Sequence, residues 1–104
     1  VSTLTARTRK ALEEEGYLVA TVEYYNAFSK RKHDLFGCFD LLAISPGHRV
    51  FVQVTSDSNA SSRRGKILSS PYFDRFVSAG FSILLSTWSK DGRFWVESRE
   101  WIVR

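Results

Sequence analysis

The sequence predicts one α/β domain, residues 1–104, with a central mixed β-sheet flanked by helices. Three observations lead there. An amphipathic segment opens the chain. Five later segments are rich in β-branched and aromatic residues. Between the third and the fourth lies a stretch with helical signals, long enough for a crossover connection. The 104 residues, 43% hydrophobic and 14% aromatic, suit one domain with a real core and argue against disorder.

The elements follow in order. Ser2 to Glu15 reads as a helix, with Leu4, Thr8, Ala11 and Leu12 on one stripe, Ser2 or Thr3 as cap and Gly16 as stop. Glu13, Glu14 and Glu15 crowd the end where the helix dipole disfavours them, which suggests another task for one of them. Tyr17 to Tyr25 reads as a strand, and Asn26 to His33 as a polar, basic loop. Asp40 to Ser45 and Arg49 to Thr55 read as two strands of an antiparallel hairpin turning at Pro46-Gly47-His48. Ser56 to Ser62 favours a loop and a helix start, and Arg63 to Leu68 one or two helical turns. Pro71 to Ala79 is a further helix, with Phe73, Phe76 and Val77 on one face and Gly80 at its end. Phe81 to Trp88 and Phe94 to Val103 are the last strands, joined at Lys90-Asp91-Gly92-Arg93.

Composition narrows the function classes. No apolar run approaches the ~18 residues of a membrane span, and Val1 to Lys10 lacks the apolar stretch of a signal peptide. The single cysteine, Cys38, sits among apolar neighbours and reads as a small buried residue, so a cytoplasmic location is expected. His33 and His48 fall in predicted loops, and no Cys/His spacing suggests zinc. The serines between Ser56 and Ser62 lack a nucleophile elbow. Net charge is +4, gathered into Arg7, Arg9 and Lys10, then Lys30, Arg31, Lys32 and His33, then Arg63, Arg64 and Lys66. Any one cluster alone reads as solvated surface. Two of them flanking one acidic strand pair suit a phosphate backbone.

The acidic centre is the informative part. Alternation on the third strand puts Val50, Val52 and Val54 on one face and Phe51, Gln53 and Thr55 on the other, with Gln53 and Thr55 roughly 7 Å apart. Asp40 opens an otherwise apolar strand, and the hairpin can bring it beside them. Glu23 and Glu14 are further candidate carboxylates, with a solvated strand face as the competing reading for Glu23. Asp34 reads as a cap or as an ion-pair partner of the basic run, and Asp57 as a helix cap.

A helix, a strand, an Asp-led strand, a hairpin, and a strand ending in a polar-x-polar pair resemble the core of the PD-(D/E)xK nucleases. Small Holliday junction resolvases and phage nuclease-like proteins share that core. The resemblance implies a restriction-endonuclease-like fold and hydrolysis of DNA phosphodiesters with Mg²⁺ or Mn²⁺, in branched or duplex DNA. It covers residues 1–68 well and the last two strands loosely. Asp40 matches the family's metal-binding Asp, Gln53 its acidic position and Thr55 its lysine position, giving a variant D…QxT motif. Lys66 or Lys32 would then supply the displaced lysine's charge. The implied metal set is Asp40 and Gln53 with Glu23 or Glu14. The implied DNA rim is Lys30, Arg31, Lys32, Arg63, Arg64 and Lys66, and a homodimer stays open. An inactive nuclease-fold module that binds DNA, and a protein-interaction domain, are the alternatives.

Overall fold

A computed structural model describes residues 3–103; the cap expected at Ser2 lies outside them. The order is α1 (Thr3–Glu14), β1 (Leu18–Thr21), β2 (Tyr24–Asn26), β3 (Arg31–His33), β4 (Leu41–Ser45), β5 (His48–Ser56), a 3-10 turn at Asp57–Asn59, α2 (Ala60–Leu68), α3 (Phe73–Ser78), β6 (Ser82–Asp91) and β7 (Phe94–Trp101). Five strands form one mixed sheet in the order β1-β4-β5-β6-β7. β5 and β6 are parallel and the other neighbours antiparallel. The expected α/β architecture is therefore present, and the parallel pair is joined through α2 and α3. None of the described helices is long and apolar enough to cross a membrane.

Two apolar layers cover the sheet. Val50, Val52 and Val54 pack with Leu12 of α1 and with Leu41, Ala43 and Trp88. On the opposite face Phe51 packs with Phe39, Ile67 of α2, and Phe73 and Phe76 of α3. The period-2 alternation read from β5 thus separates the α1 side from the α2–α3 side. The β4–β5 hairpin turns on two residues, Ser45 pairing with His48, and Gly47 takes φ +74, the conformation glycine adopts after proline in a type II turn.

Polar groups lock α1 onto the sheet. Thr8 is fully buried; its Oγ1 accepts a hydrogen bond from Trp88 Nε1 (2.8 Å) and lies 3.1 Å from Ser86 Oγ. Ser86 Oγ donates to Glu97 Oε2 (2.6 Å), and Arg99 Nε donates to the same oxygen (3.0 Å). Arg99 also donates through both Nη atoms to Glu15 (2.8 and 2.6 Å). That pairing is the task of one of the three glutamates at the helix end, and it holds the Glu15 carboxyl below its usual range. Thr8→Val keeps the volume of the side chain but leaves the Trp88 indole N–H buried without an acceptor. An equilibrium urea titration should show a loss of ~1–3 kcal/mol.

Two sequence expectations change here. The predicted strand Tyr17–Tyr25 is two strands, β1 and β2, interrupted at Val22-Glu23. The predicted basic loop Asn26–His33 is the turn and second arm of a β2–β3 hairpin, in register Tyr24↔His33, Tyr25↔Lys32 and Asn26↔Arg31. The turn is made by Asn26, whose Oδ1 accepts from the N–H groups of Phe28 (2.9 Å) and Ser29 (3.2 Å). This Asn-mediated turn closes the hairpin without glycine.

Candidate metal centre

The site is assembled where β1 ends and β4 begins. Val22 N–H donates to the Asp40 carbonyl (2.9 Å), and Asp40 N–H donates to the Val52 carbonyl (2.9 Å). Asp40 is therefore clamped between the end of β1 and β5. Its register continues the β4–β5 pairing by one step, opposite Gln53. Parity then points its side chain to the α2–α3 face, as the sequence predicts.

Asp40 is 4% exposed and Gln53 2%. Gln53 Nε2 donates to Asp40 Oδ2 (2.8 Å) and to the Val54 carbonyl (3.0 Å), and Val54 N–H donates to the same Oδ2 (2.9 Å). Both bonds converge on one oxygen, so the carboxylate orientation is fixed while Oδ1 takes part in neither. Two acceptors at Nε2 set the orientation of the Gln53 amide. The expected role of Gln53 as an oxygen ligand beside Asp40 changes accordingly: its nitrogen meets the carboxylate, and it acts there as a donor that positions Asp40.

Glu23 and Asp34 complete the centre. One ligand oxygen from each of Glu23, Asp34 and Asp40 lies within 4.8 Å of the others. Glu23 sits one step before the Tyr24↔His33 pair and Asp34 one step after it, so the β2–β3 hairpin brings the two side by side. Asp34 then enters a tight turn, with Gly37 N–H donating to its carbonyl (2.9 Å) and Leu35 bridging to Phe39, which returns the chain to Asp40. The Glu23 side chain is 3% exposed, and neither of its buried oxygens accepts a hydrogen bond. Lys32 Nζ stands 3.3 Å from Glu23 Oε2, an ion pair outside hydrogen-bond alignment. Gln53 Oε1 is a third buried oxygen without a donor.

Burial pushes the Asp40 carboxyl up to about 8, and the neighbouring Glu23 and Asp34 carboxylates add to this; the Val54 N–H works in the opposite direction. Three acids gathered in one partly buried place repel one another when ionised, and either a retained proton or a bound cation relieves that repulsion. The carboxylates present fit a hard divalent ion with oxygen ligands, for which Asp40, Glu23 and Asp34 would be the donors.

The other expected site residues are distributed as follows. Glu14 is exposed at the end of α1 and is not one of the three clustered acids, so the third carboxylate is Asp34. The sequence assigns Asp34 to a cap or an ion pair because, with residues 26–33 taken as a loop, no register ties it to Glu23. The one available signal is Asn26, a turn-forming residue directly after the aromatic pair Tyr24-Tyr25; the basic run Lys30 to His33 carries no strand signal of its own. Thr55 is buried on β5, on the same face as Gln53. Lys66 is exposed on α2, where its charge bears on Cys38, and it makes no ion pair with the three acids. Lys32 is the lysine that reaches the centre. Lys30 and Arg31 are exposed at the hairpin turn. Arg63 is half-buried on α2, and Arg64 is held by Glu100 of β7 (Nε–Oε1 2.7 Å). A cavity of about 820 Å³ around Phe36, Phe51, Tyr72 and Phe76 includes none of the carboxylates.

Comparison with protein-family models finds no match, and comparison with curated proteins finds none either.

Proposed function

We propose that this protein is a Mg²⁺- or Mn²⁺-dependent DNA endonuclease of the PD-(D/E)xK type, with a rearranged active site. The observation that supports it best is the convergence of Glu23, Asp34 and Asp40 within 4.8 Å, beside buried oxygens that lack donors. The element order of the resemblance, with an Asp opening the strand next to a polar-x-polar strand, agrees with this reading.

Each residue then has a role set by its surroundings. Asp40, Glu23 and Asp34 would hold the ion, which when bound polarises a phosphoryl oxygen and acidifies a water. Val54 N–H and Gln53 Nε2 hold Asp40 in one orientation. The Lys32 ammonium, 3.3 Å from Glu23, offers the positive charge that Thr55 lacks at the family's lysine position. Fixed cations near the phosphate stabilise charge on the transition-state oxygens. Lys30 and Arg31, on the same hairpin, offer charge to the DNA backbone. Cutting both strands of a duplex calls for two such sites, which a homodimer would supply.

The test is Mn²⁺ titration by calorimetry, paired with cleavage of duplex, single-stranded and four-way-junction DNA. Stoichiometric metal binding and metal-dependent cleavage are expected. Lys32→Met should slow cleavage by about 10²-fold while Mn²⁺ affinity holds or rises, because the acids lose their competing counter-ion. The neutral Gln53 and Thr55 favour one second reading, a DNA-binding module without hydrolysis. DNA binding with no cleavage under any of these conditions would establish it.

A further inference from the structure

The β2–β3 hairpin presents an aromatic and basic surface that the metal centre leaves unused. Strand parity divides the hairpin into two faces. Glu23, Tyr25, Lys32 and Asp34 share one, and Tyr24 and His33 share the other, where their rings stack at 5.2 Å. Tyr25 therefore stands on the same face as the two carboxylates, beside Lys32, and is 65% exposed. Phe28, at the tip, is 101% exposed. The Asn26 side chain and the left-handed Lys30 (φ +55) hold it there on a formed turn.

One exposed apolar residue on a surface is ordinary. What singles out this segment is its conjunction of features. Residues 24–33 carry three exposed aromatic rings and the cations Lys30, Arg31 and Lys32, with no acid among them. An exposed phenyl on a basic hairpin complements a nucleic acid, whose bases offer flat apolar faces and whose backbone is negative. A purely apolar partner would leave Lys30 and Arg31 unmatched.

We propose that the β2–β3 hairpin is an aromatic wedge for unstacked DNA. Phe28 enters at an interrupted base step, Tyr25 supports a displaced base on the carboxylate face, and Lys30 and Arg31 hold the flanking phosphates. The hairpin then selects bulged, mismatched or branched DNA and presents the strand beside Glu23 and Asp34. The inference rests on the nuclease reading for its substrate and adds the feature by which that substrate is chosen.

The experiment compares binding to two labelled duplexes, one fully paired and one with a single-base bulge flanked by 2-aminopurine. Ca²⁺ replaces Mg²⁺, so that binding is read apart from hydrolysis. The unmodified protein should prefer the bulged duplex and raise 2-aminopurine fluorescence as the base unstacks. Phe28→Ala should lose about tenfold in affinity for the bulged duplex, keep its affinity for the paired one within about twofold, and abolish the fluorescence rise. Phe28→Trp, with a larger face, should retain both. Because Phe28 is fully exposed, these variants leave the core untouched. If Phe28→Ala keeps the preference and the fluorescence rise, the wedge is overturned while the nuclease reading stands. If the unmodified protein binds neither duplex, both are overturned.

Discussion

Asp40→Asn should abolish Mn²⁺ binding in calorimetry and lower metal-dependent DNA cleavage by about 10³-fold or more. Asp40 is the acid that the fold itself positions: Val22, Val52 and Val54 hold its backbone or side chain, and Gln53 holds Oδ2. An asparagine carbonyl still accepts from Val54 N–H and Gln53 Nε2, so the local structure survives. The negative charge that offsets a divalent ion is lost, and with it most of the metal affinity. The circular dichroism spectrum should match that of the unmodified protein. Hydrolysis that persists in a pure Asp40→Asn preparation would remove Asp40 from the centre and leave the nuclease reading without its main ligand.

The second large effect is on stability against pH in the metal-free protein. Asp40 stays protonated in the native state up to about 8, whereas the unfolded chain ionises near 3.8. Between those values the native state holds a proton that the unfolded state has released. Stability must then fall as pH rises from about 4 to about 8, by up to ~1.4 kcal/mol per unit. Above about 8 this contribution levels off. Urea titrations in EDTA at pH 5, 7 and 9 should show the decline, and Asp40→Asn should flatten it and be the more stable protein at pH 9. Saturating Mn²⁺ should oppose the decline, since the ion binds the ionised carboxyl and stabilises the native state. A metal-free protein whose stability rises over this range would show that Asp40 folds in its ionised form.

Much of the fold is legible in the sequence because it rests on local periodicity. The alternation Val50-Phe51-Val52-Gln53-Val54-Thr55 separates the two packed layers before any contact is known. The helical stretch between the third and fourth expected strands permits the crossover that makes β5 and β6 parallel. Pro46-Gly47 marks the hairpin turn by its backbone preferences alone. Asp40 and Gln53 are recognisable as neighbours on that hairpin, but their exact pairing follows from the two-residue turn, which takes His48 out of the expected turn and into β5.

The composition of the acidic cluster was decided by tertiary structure. Glu23 and Asp34 are eleven positions apart in sequence and meet through the register of a short hairpin whose second arm, Arg31–His33, is too brief and too polar to announce itself as a strand. The same hairpin sets Lys32, and not Lys66, beside the acids. The amide of Gln53 presents a donor to Asp40 because the Val54 carbonyl and Asp40 Oδ2 both require one, a demand that appears only once β4 and β5 are paired. Local pattern thus determined the sheet, its two faces and the position of Asp40. Long-range pairing decided which charges surround it, because proximity between distant acids is a property of register and burial that no single segment encodes.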